Sequence, residues 1–242
     1  MAEHRCFALV SFEGPDWYAW QGGLAERLVA LATHLADRGF ETHFYFFGDP
    51  HLPGEERFSG GPLILHRWAQ WLSRGYPGGA YEGEEAKRLE LASSLPAALL
   101  RDLLIPAVAH EVTPVVLVEE WQTVPFVLAL AALLEAEGVR DRVQLVWRMG
   151  SLLGADRVDW DTLGRAARLT VTSAELQEAL ARQEVETEVL SAAPAALLAF
   201  LEGDALPGKH PPLARPAPAI IPSMQRPPAR FLPPHRVPAP ER

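Results

Sequence analysis

Polar side chains that could do chemistry follow one strongly apolar run of the chain. Glu119 and Glu120, with Trp121 and Gln122, come directly after the segment VVLV at residues 115–118. Two adjacent carboxylates at the end of a buried strand could bind sugar hydroxyls, or burial could shift the pKa of one of them toward neutrality. The alternative is that one glutamate caps the following helix and the other is solvated.

A diglycine turn is the second candidate. Gly22 and Gly23 lie where an apolar strand gives way to a helical pattern. Backbone N–H groups at a helix start and the positive end of the helix dipole favour a phosphate, and glycine allows a close approach. The alternative is a plain tight turn in which Glu26 satisfies the helix end. The sequence contains neither GxGxxG nor GxxxxGK[ST], so the common nucleotide-binding fingerprints are absent.

Arg148 is the third candidate, because it follows the strand-like segment QLVW at residues 144–147. A guanidinium at a strand end could pair with a phosphate or a carboxylate, and a surface salt bridge is the alternative. Several aromatic residues could stack on sugar rings, although core and loop packing would account for most of them. These residues are Trp17, Tyr18, Trp20, Trp68 and Trp71.

The elements that must position these residues alternate between strands and helices. Leu24, Leu28, Leu31 and Leu35 recur at helical spacing between short apolar runs at 7–12 and 42–47. Further strands are predicted at 63–65, 115–118, 144–147, 169–172 and 188–190, and further helices at 84–95, 96–110, 126–137, 161–167 and 174–183. Residues 68–81 are predicted to form an ordered loop. This alternation predicts an α/β fold with a doubly wound, mostly parallel, Rossmann-like sheet.

Composition bounds the function. The chain has 242 residues and a net charge of −9, and the segment from Gly203 onward carries six basic and two acidic residues, so the first 202 residues carry −13. Nucleic-acid binding is not expected, because neutralising phosphates requires clustered Lys and Arg. The longest apolar run, at 124–134, is shorter than the ~20 residues that span a bilayer, so no membrane span is expected.

The single cysteine, Cys6, allows no internal disulfide and opens an apolar run, so a buried thiol is expected rather than a nucleophile. These features predict a cytoplasmic protein. The eight histidines show no HExxH or similar spacing, so no metal site and no cofactor are predicted.

The final segment differs from the rest of the chain. Twelve of the 22 prolines lie between Pro207 and Pro240. This composition predicts a globular domain over residues 1–202 and a disordered, proline-rich tail over 203–242. The tail is interpreted as inert, and the alternative is that it is a proline-rich docking ligand. A further hypothesis is that a reading-frame change upstream replaced a folded domain with this composition.

Seven segments in order carry a resemblance to a known family: SFEGPDWYAWQGGLAERL, GFETHFYFFGDP, LHRWAQWLS, YPGGAYEGEEAKRLE, VEEWQT, GVRDRVQLVW and DRVDWDTL. Over roughly residues 6–190 the chain resembles the N-terminal domain of family 4 glycosyltransferases, a group related to glycogen and starch synthases. The resemblance implies the N-terminal half of a GT-B fold. It also implies the acceptor side of a retaining hexosyltransferase that uses a nucleotide-sugar donor and no bound metal.

By position, the resemblance implies that the loop near the donor phosphates is formed by Gly22, Gly23 and Gln21, which would bind the donor. It implies that Glu120 and Gln122 are catalytic residues that act on the sugars. It also implies that three further residues bind the substrate: Trp121, Arg148 and Tyr18. Where the family usually has histidine and asparagines, this chain has Gln122 and Arg148. The Pro-Asn-Gly sequence that usually precedes the second domain appears as residues 191–194, SAAP.

The donor-binding C-terminal domain of the family has no counterpart in this sequence. A separately encoded C-terminal domain is therefore the expected partner, together with the nucleotide sugar and a carbohydrate acceptor. The alternative is a catalytically inactive protein, either truncated or regulatory, that binds carbohydrate. A second alternative is an unrelated small nucleotide-binding α/β enzyme, which the missing fingerprints disfavour.

Overall fold

The computed structural model describes residues 4–58 and 61–202. Eight strands form one sheet in the order β3-β4-β2-β1-β5-β6-β7-β8. They are β1 Arg5–Val10, β2 Thr42–Phe46, β3 Glu55–Arg57, β4 Leu63–Arg67, β5 Thr113–Glu119, β6 Gln144–Met149, β7 Arg168–Val171 and β8 Glu188–Val189. All pairings are parallel except that of β3 with β4. The doubly wound, mostly parallel sheet predicted from the sequence is confirmed.

Helices cover both faces of the sheet. They are α1 Gly23–Asp37, α2 Gln70–Gly75, α3 Glu84–Leu99, α4 Ile105–Ala109, α5 Val124–Ala136, α6 Trp160–Ala166, α7 Ala174–Ala181 and α8 Ala196–Glu202. The leucines of α1 pack on one face with Phe7, Leu9 and Phe44, and α8 packs on the same face. Helices α3 to α7 cover the other face, where Val116, Val118 and Trp147 are buried. The central strands β1, β5 and β6 are buried on both sides because helices cover both faces of the sheet there.

Glycines end two of the helices as their sequence positions predict. Gly39 and Gly138 have φ values of 85° and 67°, a conformation that other residues rarely adopt. After each of them the next N–H reaches back to a carbonyl of the last helical turn, from Phe40 to Leu35 and from Val139 to Leu134. These bonds satisfy carbonyls that the helix end would leave free.

The prediction of two separate helices at 84–95 and 96–110 is wrong. Helix α3 contains Pro96 and continues through a π-helical segment, Leu100–Leu104, into α4. Pro106 cannot donate a helical hydrogen bond, and the wider turns just before it accommodate that loss. This helix, Glu84–Ala109, has the length and composition of a membrane span, but the core helix of a soluble protein passes the same test. Its side chains Leu91, Leu95 and Leu99 are buried in the core.

Three elements were not predicted: the short strand β3, helix α2 inside the expected loop, and helix α8. The thiol of Cys6 is buried, and burial raises its pKa to about 12, as expected for a structural thiol. The predicted proline-rich tail at 203–242 lies outside the described residues.

Candidate functional site

The candidate site lies where the direction of winding reverses. Strands β1 and β5 are neighbours in the sheet, yet β1 leads through α1 to β2 on one side, whereas β5 leads through α5 to β6 on the other. Ligands of open α/β sheets bind beyond the carboxyl ends of the strands at such a point. The glycine turn follows β1, and the two glutamates end β5.

Arg27 joins these two segments. It lies in the second turn of α1, and its Nε donates to Glu119 Oε2 at 2.9 Å while its Nη2 donates to Glu120 Oε1 at 2.8 Å. The contact ties the second turn of α1, the helix that begins after the glycine turn, to the acidic pair. The structure thus brings these two sequence motifs to the same edge of the sheet.

Arg148 lies inside β6, not after it, and is only 2% exposed. Its Nε donates to Glu119 Oε1 at 2.8 Å, its Nη2 contacts the same oxygen, and its Nη1 donates to the carbonyl of Ser191 at 3.4 Å. The carboxylate of Glu119 is therefore held between two guanidinium groups. The interpretation of Arg148 as a surface salt bridge is wrong, since the pair is buried, and its guanidinium is not exposed at the edge.

Glu120 is the titratable group of this cluster. Burial and the charge of Glu119 raise its pKa from 4.5 to about 7, against the opposing effects of Arg27 and the N–H of Gly150. That N–H donates to Glu120 Oε1 at 3.0 Å. A carboxyl group that titrates near neutral pH can act as a general acid or base. The alternative in which one glutamate of the pair is solvated is wrong, because Glu119 is fully buried and the Glu120 side chain is 12% exposed.

The backbone at this point is constrained. Glu120 has a φ of 70°, which is uncommon for a residue with a side chain. A Cβ atom at position 150 would lie 2.3 Å from Arg27 Nη2 and 2.8 Å from Glu120 Oε1, so a larger residue there would have to displace the ends of these two side chains. Strained backbone persists where the surroundings hold it, and such positions concentrate at functional sites.

Trp121 and Gln122 face helix α3. The guanidinium groups of Arg88 and Arg157 lie over the Trp121 ring, at 4.7 and 4.5 Å from its centroid, and Trp121 is 5% exposed. Gln122 Nε2 donates to Glu84 Oε1 at 2.9 Å. Trp121 Nε1 and Gln122 Oε1 are buried without a hydrogen-bond partner. Neither side chain presents an open face for a sugar in this conformation.

Glu13 occupies the start of α1, a role that the sequence did not indicate. Its Oε2 accepts from the N–H of Ala25 at 3.1 Å and from that of Gln21 at 3.4 Å. The helix end is therefore satisfied by Glu13 rather than by Glu26, which is exposed. Side chains built at Gly22 and Gly23 would meet nothing within 4 Å, so open space lies in front of the turn.

Tyr81 is the second partner of the Glu13 carboxylate. Its hydroxyl donates to Glu13 Oε1 at 2.8 Å. Burial, this hydrogen bond and the charges of Glu13, Glu120 and Glu84 raise the pKa of Tyr81, so its hydroxyl remains a donor. Sequence reasoning missed Tyr81 because an isolated tyrosine in a loop carries no pattern.

Tyr18 is buried and has a structural role in the loop before α1. Its hydroxyl donates to the Tyr76 carbonyl at 2.6 Å and accepts from Lys87 Nζ at 2.7 Å. Lys87 also donates to the carbonyls of Gly79 and Ala80, and burial lowers its pKa to about 8. The Tyr18 ring is therefore not available for stacking.

Of the other aromatic side chains considered for sugar stacking, one is partly buried and three are exposed. Trp68 is partly buried and donates to Ser94 Oγ at 2.9 Å. Three aromatic residues remain exposed on loops or helices at the carboxyl ends of β1 and β4: Trp17, Trp20 and Trp71. Gln21 is exposed as well, beside Gly79.

Among residues 4–58 and 61–202, no group of three or more His, Cys, Asp or Glu is arranged to hold a metal ion. A cavity of about 1860 Å³ lies at the amino ends of β6 to β8, next to α6 and α7. It is at the opposite edge of the sheet from the cluster around Glu120.

The chain is similar to a known protein in its fold but matches none by family or curated sequence. The fold is similar to that of a sucrose-phosphate synthase from Thermosynechococcus elongatus, with a TM-score of 0.47 and 15% sequence identity. The match covers 78% of this chain and 48% of that protein, so the chain spans about half the length of this structural relative. No protein-family model matches the chain, and no curated protein matches its sequence.

Proposed function

We propose that the chain is the acceptor-side half of a retaining hexosyltransferase that uses a nucleotide-sugar donor and is related to glycogen and starch synthases. The observation that carries the proposal is the contact of Arg27 with Glu119 and Glu120. This contact supports the proposal because it ties α1, the helix that follows the glycine turn, to the acidic-aromatic segment at the switch point, and these two motifs are the ones most typical of that family here.

The roles follow from the chemistry of each group. Gly22 and Gly23 leave open space where a donor phosphate could approach the start of α1, with Gln21 beside it. Glu120 is the group at this edge that can hold or release a proton near neutral pH, so it acts at the sugars. Gln122 and Trp121 act with it if the contacts with α3 open, and Tyr18 and Arg148 position the loop and Glu119.

A separately encoded C-terminal domain would complete the site. Positioning a sugar nucleotide for transfer needs groups on both sides of the donor, because catalysis of this kind depends on orientation and preorganised charge. Binding of a saccharide to this chain alone is therefore expected, and transfer is expected only when the partner domain is present.

The second candidate is a catalytically inactive carbohydrate-binding or regulatory protein. Two observations favour it. Gln122 is hydrogen-bonded to Glu84, and Arg148 is buried against Glu119, so neither side chain is free to contact a sugar.

Calorimetric titration separates these functions. The purified chain is titrated with ADP-glucose, UDP-glucose and GDP-mannose, and separately with glucose, maltose and longer maltooligosaccharides. We expect heat with a saccharide and its loss in Glu120→Gln, whereas Glu26→Gln, an exposed change in the first turn of α1, should bind as the natural chain does. Absence of heat with every ligand would contradict the proposal. Saccharide binding without transfer in the presence of a complementary donor domain would establish the inactive alternative.

A further inference from the structure

Arg27 serves the two carboxylates of the acidic pair unequally. Glu119 is held by two guanidinium groups, because Arg148 contacts its Oε1 while Arg27 Nε donates to its Oε2 at 2.9 Å. Glu120 receives its one salt bridge among residues 4–58 and 61–202 from Arg27, whose Nη2 donates to its Oε1 at 2.8 Å. The charge of Glu120 therefore depends on Arg27 more than that of Glu119 does.

The two donors that reach the Glu120 carboxyl group meet on the same oxygen. Arg27 Nη2 and the N–H of Gly150 both donate to Oε1, at 2.8 and 3.0 Å. Among the residues that the structure describes, no donor reaches Oε2, and the Glu120 side chain is 12% exposed. A carboxyl oxygen that accepts two hydrogen bonds acts as the carbonyl oxygen, so a proton held by Glu120 lies on Oε2. Oε2 is therefore the oxygen that is left for a ligand.

The groups around this carboxyl come from several elements. Glu119 precedes it in β5, Arg27 reaches it from α1, and Gly150 follows β6. Tyr81 comes from the loop before α3, and burial, its contact with Glu13 and the charge of Glu120 raise the pKa of its hydroxyl. The N–H of Glu120 itself donates to the carbonyl of Arg148 at 3.1 Å, which fixes the backbone beneath the side chain.

We propose that Arg27 is the positioning residue of this site: it encloses Oε1 of Glu120 and so leaves Oε2 as the atom that gives or takes the proton of a ligand hydroxyl. Its charge also offsets that of Glu119, and without it Glu120 would stay protonated well above neutral pH. The proposal rests on the proposed function in one respect, which is the assignment of that hydroxyl to a sugar.

NMR of the full chain with carbon-labelled glutamate tests the role of Arg27 without a ligand. The carboxyl signal of Glu120, identified by its absence in Glu120→Gln, is followed from about pH 4 to about pH 10. In Arg27→Gln its titration midpoint should lie at least about 1 pH unit above that of the natural chain. Arg27→Lys should restore most of this difference, because an ammonium group keeps the charge although it lacks the planar fork. Arg38→Gln, which removes an exposed charge at the other end of α1, should leave the midpoint unchanged.

The position of the proton has a readout of its own. If Oε2 carries it, the hydrogen bond from the N–H of Gly150 to Oε1 survives protonation. The hydrogen-exchange protection factor of this amide should then be the same on both sides of the midpoint, while its chemical shift follows the titration of Glu120. This measurement uses the natural chain, so it decides the proposal even if Arg27→Gln does not fold.

Three results would overturn the proposal. They are an unchanged midpoint in folded Arg27→Gln, a midpoint in Arg27→Lys as high as in Arg27→Gln, and loss of Gly150 protection when Glu120 becomes protonated. Each would remove the role of Arg27 and leave sugar binding untouched. Absence of calorimetric heat with every saccharide would instead contradict the proposed function, and it would leave the effect of Arg27 on the proton of Glu120 as measured.

Discussion

The carboxyl group of Glu120 is poised between two charge states because its neighbours oppose one another. Arg27 and the N–H of Gly150 favour the ionised form, whereas burial and the adjacent Glu119 favour the protonated form, and the second pair of effects wins. The charge of Glu119 is itself compensated by Arg27 and Arg148. A ligand that changed the exposure of Glu120 to water would therefore change its protonation.

Replacing Glu120 with Gln should change how stability depends on pH. Below pH 4.5 the carboxyl is protonated in both the folded and the unfolded chain. Between pH 4.5 and about pH 7 the unfolded chain releases its proton while the folded chain keeps it, so rising pH favours unfolding. Gln carries no such penalty. The free energy of unfolding of Glu120→Gln relative to the natural chain should therefore rise with pH over this range, by at most about 3 kcal/mol.

Urea unfolding at several pH values measures this difference. Glu26→Gln also removes one negative charge and serves as the control for the change in net charge. A relative stability of Glu120→Gln that stays flat or falls from pH 4.5 to 7 would show that folding does not raise the pKa of Glu120.

The sequence predicts which motifs lie at the carboxyl edge of the sheet, but not the side chains that contact them. That Gly22-Gly23 and Glu119-Glu120 share one edge follows from a general rule, because both come after parallel strands. Glu13, Tyr81 and Arg27 were missed because each touches the site through a contact between distant segments. The burial of Arg148 could not be predicted, since a charged residue beside an apolar run does not reveal that two arginines share one buried carboxylate.

Among the elements, α1 depends on a carboxylate from outside its own sequence. Its first residue is glycine and no side chain of Gly22 can cap it, so Glu13 accepts from the backbone instead. A carboxylate at this position also interacts favourably with the positive end of the helix dipole. This arrangement ties the end of β1 to the start of the helix.

Glu13→Ala should destabilise the fold by about 2 kcal/mol, because it leaves buried backbone donors and the Tyr81 hydroxyl without an acceptor. Glu26→Ala, in the exposed first turn of the same helix, should cost less than about 1 kcal/mol. Thermal or urea unfolding of both variants gives the comparison. Equal losses would mean that the Glu13 contacts contribute nothing beyond an exposed first-turn charge.

Most elements could be predicted because their apolar periods are unambiguous. The spacing of the leucines in α1 predicts a helix, and the continuous apolar run in β5 predicts a buried strand. Strand β3, with the sequence EER, carries no apolar pattern and forms because β4 supplies an antiparallel partner. The helix 84–109 was divided at Pro96, because a proline alone does not reveal that packing against α5 holds the helix together around it.

For the whole molecule, the boundary after residue 202 stays a prediction that truncated chains can test. Helix α8 closes one face, and Leu197, Leu198 and Leu201 are buried there. A chain ending after residue 202 should unfold with a free energy within about 0.5 kcal/mol of the full chain. A chain ending after residue 195 should lose several kcal/mol, since each buried leucine contributes roughly 1.5–3 kcal/mol.

Urea unfolding of the three lengths measures both effects. A large loss of stability in the chain ending after residue 202 would place part of the core in the proline-rich segment and would contradict the proposed boundary.

Both margins of the sheet are closed to further strands. On one side β3 has three charged residues, all exposed, and on the other β8 has only two residues. Short, charged outer strands resist pairing with another chain. Within residues 4–58 and 61–202, a second polypeptide therefore finds only a short backbone ladder to extend at either margin, so we expect association to use side-chain surfaces rather than strand pairing.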